Sequence, residues 1–83
     1  LWVRGDFPVD ELNDLLGAAF PTEEPDTVGG LVTAELGRLP KAGDTCTIDA
    51  TPFRIEVMDF NRVGRVSLAL SDDQRARWQE AGV

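Results

Sequence analysis

Eighty-three residues, 42% hydrophobic and 28% charged, have the composition of one small globular domain rather than of a disordered or low-complexity chain. A formal charge of −7 lacks the concentrated basic surface that nucleic acid demands, and disfavours an anionic membrane surface. With no His and a single cysteine, Cys46, the chain has no imidazole triad, no internal disulfide and no thiolate metal cluster.

The one cysteine is compatible with a reducing compartment. No apolar run nears the roughly 20 residues of a membrane-spanning helix, and no signal peptide is recognisable. The chain opens on Leu1 rather than Met and reads as a piece of a longer protein.

In chain order, Leu1-Trp2-Val3-Arg4 is β-prone and is ended by Gly5-Asp6. From Phe7 to Gly17 the spacing predicts an amphipathic helix. Pro8 suits its first turn, Asp10 and Glu11 complement the positive end of the dipole, and Val9, Leu12, Leu15 and Leu16 share one face. Gly17 is its left-handed stop. Residues 18–26 are irregular, punctuated by Pro21 and Pro25. A second helix fits Thr27 to Leu36, with Asp26 or Thr27 as N-cap and Val28, Leu31, Val32 and Leu36 as its stripe. Gly37 stops it, Leu39 is placed for the apolar contact that accompanies such stops, and Pro40 prevents resumption. Gly29-Gly30 in its first turn costs about 1 kcal/mol per residue relative to Ala, so close approach of another group is expected there.

Beyond a turn at Pro40–Asp44 the period changes to two. Thr45 to Ile48 is a short strand and Asp49-Ala50-Thr51-Pro52 a turn. Phe53, Ile55 and Val57 alternate with polar neighbours, as do Val66, Leu68 and Leu70. Asp59-Phe60-Asn61-Arg62 connects these two strands, with Asn61 suited to positive φ. The tail opens with the capping box Ser71-Asp72-Asp73-Gln74 and is either a short helix that packs Trp78 on the sheet or a frayed end. The order indicates an α+β fold: a short strand, two helices, then a three-stranded antiparallel meander joined by the first strand. The expected core is Leu12, Leu15, Leu16, Val28, Leu31, Val32, Leu36, Phe53, Ile55, Val57, Val66 and Leu68.

Several constellations bear on chemistry. Thr27, Val28, Gly29, Gly30 and Leu31 open a helix, where free N–H groups and missing side chains would admit a phosphate or carboxylate. No G-x-G-x-x-G or Lys-containing phosphate loop accompanies them, and the capping acid Asp26 would repel an anion, so backbone packing is the plainer reading. Seven of the fifteen acids lie between Asp6 and Asp26 with no Lys or Arg among them. They offer Mg²⁺-type ligands but lack the spacing of a calcium loop, which favours a solvated face over a metal site. Arg54, Arg62 and Arg65 gather near the sheet as a candidate docking surface for an acidic partner. Trp2 and Trp78 read as core or edge cover, and Cys46 as a small buried thiol. No catalytic residue is identified: carboxylate pairs such as Asp10–Asp14 come with no nucleophile or oxyanion hole.

Asp26-Thr27-Val28-Gly29-Gly30-Leu31-Val32, followed by Gly37-Arg38-Leu39-Pro40, Gly43-Asp44, Phe53-Arg54-Ile55 and Arg62-Val63-Gly64-Arg65-Val66, resembles the CorC/HlyC transporter-associated domain. The resemblance covers residues 1–70 and leaves 71–83 as tail or short helix. It departs from the family at Thr51-Pro52, where a Gly-aromatic turn is common. It implies a regulatory, non-catalytic C-terminal domain of a hemolysin-like protein of the magnesium and cobalt efflux type. Such a domain lies on the cytoplasmic side of a membrane-associated parent. Its partners would be that parent's CBS domains and membrane region, or a homodimer mate. The fold is similar to part of the FAD-binding domain of flavin oxidoreductases, which raises the alternative of an FAD or adenine-nucleotide module at Thr27–Leu31.

Overall fold

The computed structural model describes residues 1–22 and 26–80. Seven elements follow one another: β1 (Trp2–Arg4), α1 (Val9–Leu16), α2 (Val28–Leu36), β2 (Thr45–Ile48), β3 (Thr51–Asp59), β4 (Arg62–Leu68) and α3 (Asp72–Glu80). The strands form one antiparallel sheet in the order β1-β4-β3-β2, so the first strand closes the meander beside the last. This is the expected α+β architecture.

Helix boundaries follow capping chemistry. Pro8 is extended at ψ 135° and is the N-cap of α1, one step before the first turn expected for it. Gly17 closes α1 at φ 64°, its N–H donating to the Asn13 carbonyl. Thr27 caps α2 by accepting from Gly30 N–H at 3.2 Å, and Gly37 ends it at φ 72°. The tail is a helix opened by a reciprocal box. Ser71 N–H donates to Gln74 Oε1 at 3.0 Å, and Gln74 N–H donates to Ser71 Oγ at 3.2 Å. Its Trp78 packs beside Phe7 and Leu15 of the α1 segment, not on the sheet, because α3 runs along α1.

The core lies between the sheet and the helices: Val3, Val9, Leu12, Leu16, Phe20, Val28, Leu31, Val32, Ile48, Phe53, Ile55, Val66 and Leu68 are buried. Phe20 comes from the irregular segment. Asn13 holds it there, with its amide donating to the Phe20 carbonyl at 3.0 Å and its Oδ1 accepting from Phe20 N–H at 2.9 Å. Its ring meets Phe53 edge-on at 5.4 Å. Leu15 and Leu36 are only half-buried, and Leu39 is exposed.

Val57 was expected inside but is 45% exposed. The ladder runs Ile55↔Val66, Val57↔Arg65, Met58↔Val63, so Glu56 is an extra residue on β3 and Gly64 an extra residue on β4. Each bulge shifts the side-chain phase by one, and Val57 lies between them, on the outer face with Arg65. The two turns also differ from expectation. Asp49 and Ala50, with φ 50° and 62°, make a two-residue hairpin that lets β3 start at Thr51. In the β3–β4 turn, Phe60 rather than Asn61 takes positive φ, at 58°, a conformation costing about 1–3 kcal/mol for such a side chain.

Three glycines bring backbones together where β1 ends. Gly5 N–H donates to the Gly64 carbonyl at 3.0 Å, and the Gly5 carbonyl accepts from Gly29 N–H at 2.8 Å. A Cβ on Gly5 would collide with the Val63 carbonyl, and one on Gly29 would lie 2.9 Å from the Gly5 oxygen. Gly29→Ala should therefore lower unfolding free energy by about 1–3 kcal/mol, and Gly5→Ala by at least as much, in urea titrations. Losses below about 0.5 kcal/mol in both would show that the close approach is not what fixes α2.

The turn before β2 is organised by Asp44, whose carboxylate accepts from Lys41 N–H at 2.8 Å and from Arg38 Nη1 at 2.9 Å. The Arg38 hydrogen bond, then the Lys41 N–H, hold its carboxyl below the ordinary value of 3.8. A depressed carboxylate contributes stability above its unfolded-state value and loses it as pH falls through the folded-state value. Wild type should thus exceed Asp44→Asn in stability by a constant margin at neutral and mildly acidic pH. That margin should vanish only in acid below 3.8; a margin that closed near neutrality would assign it to another group.

Candidate functional site

The residues singled out at the start of α2 divide into two groups. Val28 and Leu31 are buried and belong to the core. Thr27, Gly29 and Gly30 line a groove of about 600 Å³ together with Thr33, Asn61 and Arg62. The groove lies between the first turn of α2, the Gly5-Asp6 turn and the start of β4. It exists because Phe7-Pro8-Val9 bridges Asp26-Thr27-Val28 in antiparallel fashion. Val9 N–H donates to the Asp26 carbonyl at 2.9 Å, and Val28 N–H to the Phe7 carbonyl at 3.0 Å.

The donors at this helix start are engaged within the chain. Val28 N–H goes to Phe7, Gly29 N–H to Gly5, and Gly30 N–H to Thr27 Oγ1. The open turn thus receives the chain's own backbone, as the plainer reading held for Gly29. An anion in the groove would be held by Arg62, the Asn61 amide and the Thr27 hydroxyl, since the Thr33 hydroxyl already donates to the Gly29 carbonyl at 2.8 Å, and Asp6 on the same wall would oppose it.

The three arginines do not form one cluster. Arg54 and Arg65 are exposed on the outer face of the sheet, where Arg54 is opposite Ser67 and Arg65 opposite Val57. Arg62 stands apart at the hairpin end, bordering the groove. On the outer face the Arg65 guanidinium lies 5.6 Å from the Trp2 ring centroid. Glu56 accepts from Ser67 Oγ at 2.6 Å and lies 3.7 Å from Arg54. Trp2, 59% exposed on the neighbouring edge strand, and Val57, opposite Arg65, add apolar surface beside the cations. Sequence reasoning assigned Trp2 to core or edge cover; period-two alternation from the buried Val3 is the signal that places Trp2 and Arg4 outside.

The described acids of the first third stay dispersed. Asp6 pairs with the exposed Arg4 at 3.2 Å, and Asp10, Glu11 and Asp14 line the outer side of α1. Glu23 and Glu24 lie outside the described residues. Among the described residues, no three His, Cys, Asp or Glu side chains group as metal ligands do, and no helix is long and apolar enough to cross a membrane.

The chain belongs to the family described as transporter associated domain, CorC_HlyC, whose model matches residues 1–72. It is 37% identical over 71 residues to the magnesium and cobalt efflux protein CorC of Salmonella typhimurium, covering 86% of this chain and 24% of that protein. It thus spans about a quarter of the length of such relatives. Among solved structures it resembles a putative Mg²⁺ and Co²⁺ transporter (CorC) associated region from Neisseria meningitidis. That pair shares 28% identity at a TM-score of 0.78, over 84% of this chain and 86% of the other. The fold also matches the transporter associated domain of a CBS domain protein from Porphyromonas gingivalis. There the TM-score is 0.77 and the identity 24%, over 86% of this chain and 87% of that one.

Cys46, on edge strand β2, is half-buried against the core. Burial, and secondarily the charge of Glu35, raises its thiol above the ordinary value. Alkylation by iodoacetamide at pH 7 should therefore run slower than for the unfolded chain in urea, since only the thiolate reacts. Equal rates in the two states would show an accessible, ordinary thiol.

Proposed function

We propose that this chain is a non-catalytic regulatory module of a CBS-domain ion-transport protein of the magnesium and cobalt efflux type. It acts by docking on the CBS domains, the membrane region or a dimer mate of its parent, on the cytoplasmic side. The observation that carries this reading is the extent of the match. The whole 71-residue alignment corresponds to only 24% of an efflux protein, so the domain works as one part of a longer machine. The outer face of the sheet supports it: Trp2, Arg54 and Arg65 are the aromatic and arginine types that protein interfaces favour, and the exposed Val57 adds apolar area beside them. They stand on a four-stranded sheet whose other face is already covered by helices. A coupling of about 1–3 kcal/mol between docked and undocked states, a factor of roughly 5 to 150, is enough to alter transport.

The test uses the parent protein with its CBS pair. Arg54→Glu with Arg65→Glu leaves the core untouched and should change ion flux by about fivefold or more while exposing the domain to limited proteolysis. Unchanged flux and unchanged proteolysis would remove the outer face from the mechanism.

A second reading, an FAD or adenine-nucleotide module at Thr27–Leu31, draws its support from the groove shared by Thr27, Gly29, Gly30 and Arg62. It predicts saturable amide shifts at Gly29, Gly30 and Arg62 when FAD or ATP is added, together with a raised Tm. Silence at these amides with millimolar ligand would leave the docking module alone.

A further inference from the structure

Phe60, at the tip of the β3–β4 hairpin, is 96% exposed and holds φ at 58°, where Gly or Asn would sit without strain. A bulky aromatic there serves neither the turn nor the core of its own chain. Elsewhere on the molecule, α1 and α3 leave an apolar slot of about 400 Å³ between Phe7, Leu15 and Trp78. The slot's remaining lining residues are two exposed acids, Glu11 and Asp14. Arg62 is two residues from Phe60 and makes no ion pair among the described residues. Knob and slot are thus complementary twice, aromatic to apolar and cation to carboxylate. At 96% exposure Phe60 does not occupy the slot of its own chain.

We propose that the occupant of the slot is Phe60 of a second copy of this chain, with Arg62 of that copy set against Glu11 and Asp14. The proposal rests on the docking reading above and names a dimer-mate surface for it. A single knob with one charged flank buries far less than the roughly 1,200 Å² of a standard interface, and a charge of −7 on each copy opposes association. The affinity of the isolated chain is therefore weak, toward the millimolar end, and becomes effective where a longer parent holds two copies close together.

Sedimentation equilibrium of the 83-residue chain up to about 1 mM measures this. Wild type is expected to show reversible association. Phe60→Gly should abolish it while leaving the chain at least as stable, because glycine relieves the positive φ. Arg62→Glu should weaken association by about tenfold or more, and Glu11→Arg with Asp14→Arg should restore the Arg62→Glu chain. A wild type that stays monomeric at every concentration overturns the proposal. So does association that survives Phe60→Gly, or a charge reversal that restores nothing. Because the outer-face variants Arg54→Glu and Arg65→Glu avoid this surface, failure here leaves the docking reading standing, and failure there leaves this contact standing.

Discussion

The fold turns on a relay of three backbones in which Gly5 and Gly29 leave no room for a side chain. Gly64 of β4 accepts from Gly5 after β1, and Gly5 in turn accepts from Gly29 in the first turn of α2. Strand, turn and helix therefore approach one another at hydrogen-bond distance, without side chains between them. The closeness sets where α2 lies on the sheet and so which of its residues are buried. It also consumes the N–H groups that an open helix start would present to a ligand. Packing and ligand capture compete for the same donors, and in this chain packing has them.

That competition explains how the family pattern was legible while the group its glycines receive was not. Gly29-Gly30 at a helix start signalled close approach, since two glycines in a first turn oppose helix formation unless something needs the space. A phosphate and a carbonyl oxygen make the same demand on a backbone N–H. The absent phosphate loop and the acid Asp26 favour a carbonyl, but nothing names Gly5, which is 24 residues away and whose carbonyl carries no side-chain signature.

Most of the architecture could be read locally. The stops at Gly17 and Gly37, the α2 cap at one of the two residues expected for it, and the Ser71–Gln74 box are short-range chemistry, and each stands where the spacing put it. What escaped was non-local. Phe20 is in the core because Asn13 grips its backbone from α1, a contact that no periodicity reports. Val57 faces outward because the extra residue Glu56 shifts the phase of β3, with Gly64 on β4 restoring the pairing register, and an alternating pattern read along β3 alone carries straight through. The hairpin turn chose Phe60 over Asn61 for positive φ, against the preference of both residues.

These departures share a location. Val57 and Gly64 lie in the bulged half of the β3–β4 hairpin, Phe60 at its tip, and Arg62 and Arg65 on its returning strand. A hairpin built only for stability would keep its alternation, bury Val57 and place a small residue at the turn. This one instead displays a valine and an arginine beside Trp2 on the sheet, and an unshielded phenylalanine at its end. The bulges turn Met58 and Val63 toward the core but leave Val57, Phe60 and Arg65 outside, where the hairpin's own packing has no use for them. Curated relatives are about three and a half times its length, which is why the rest of such a protein, or another copy of it, is the partner proposed for that surface.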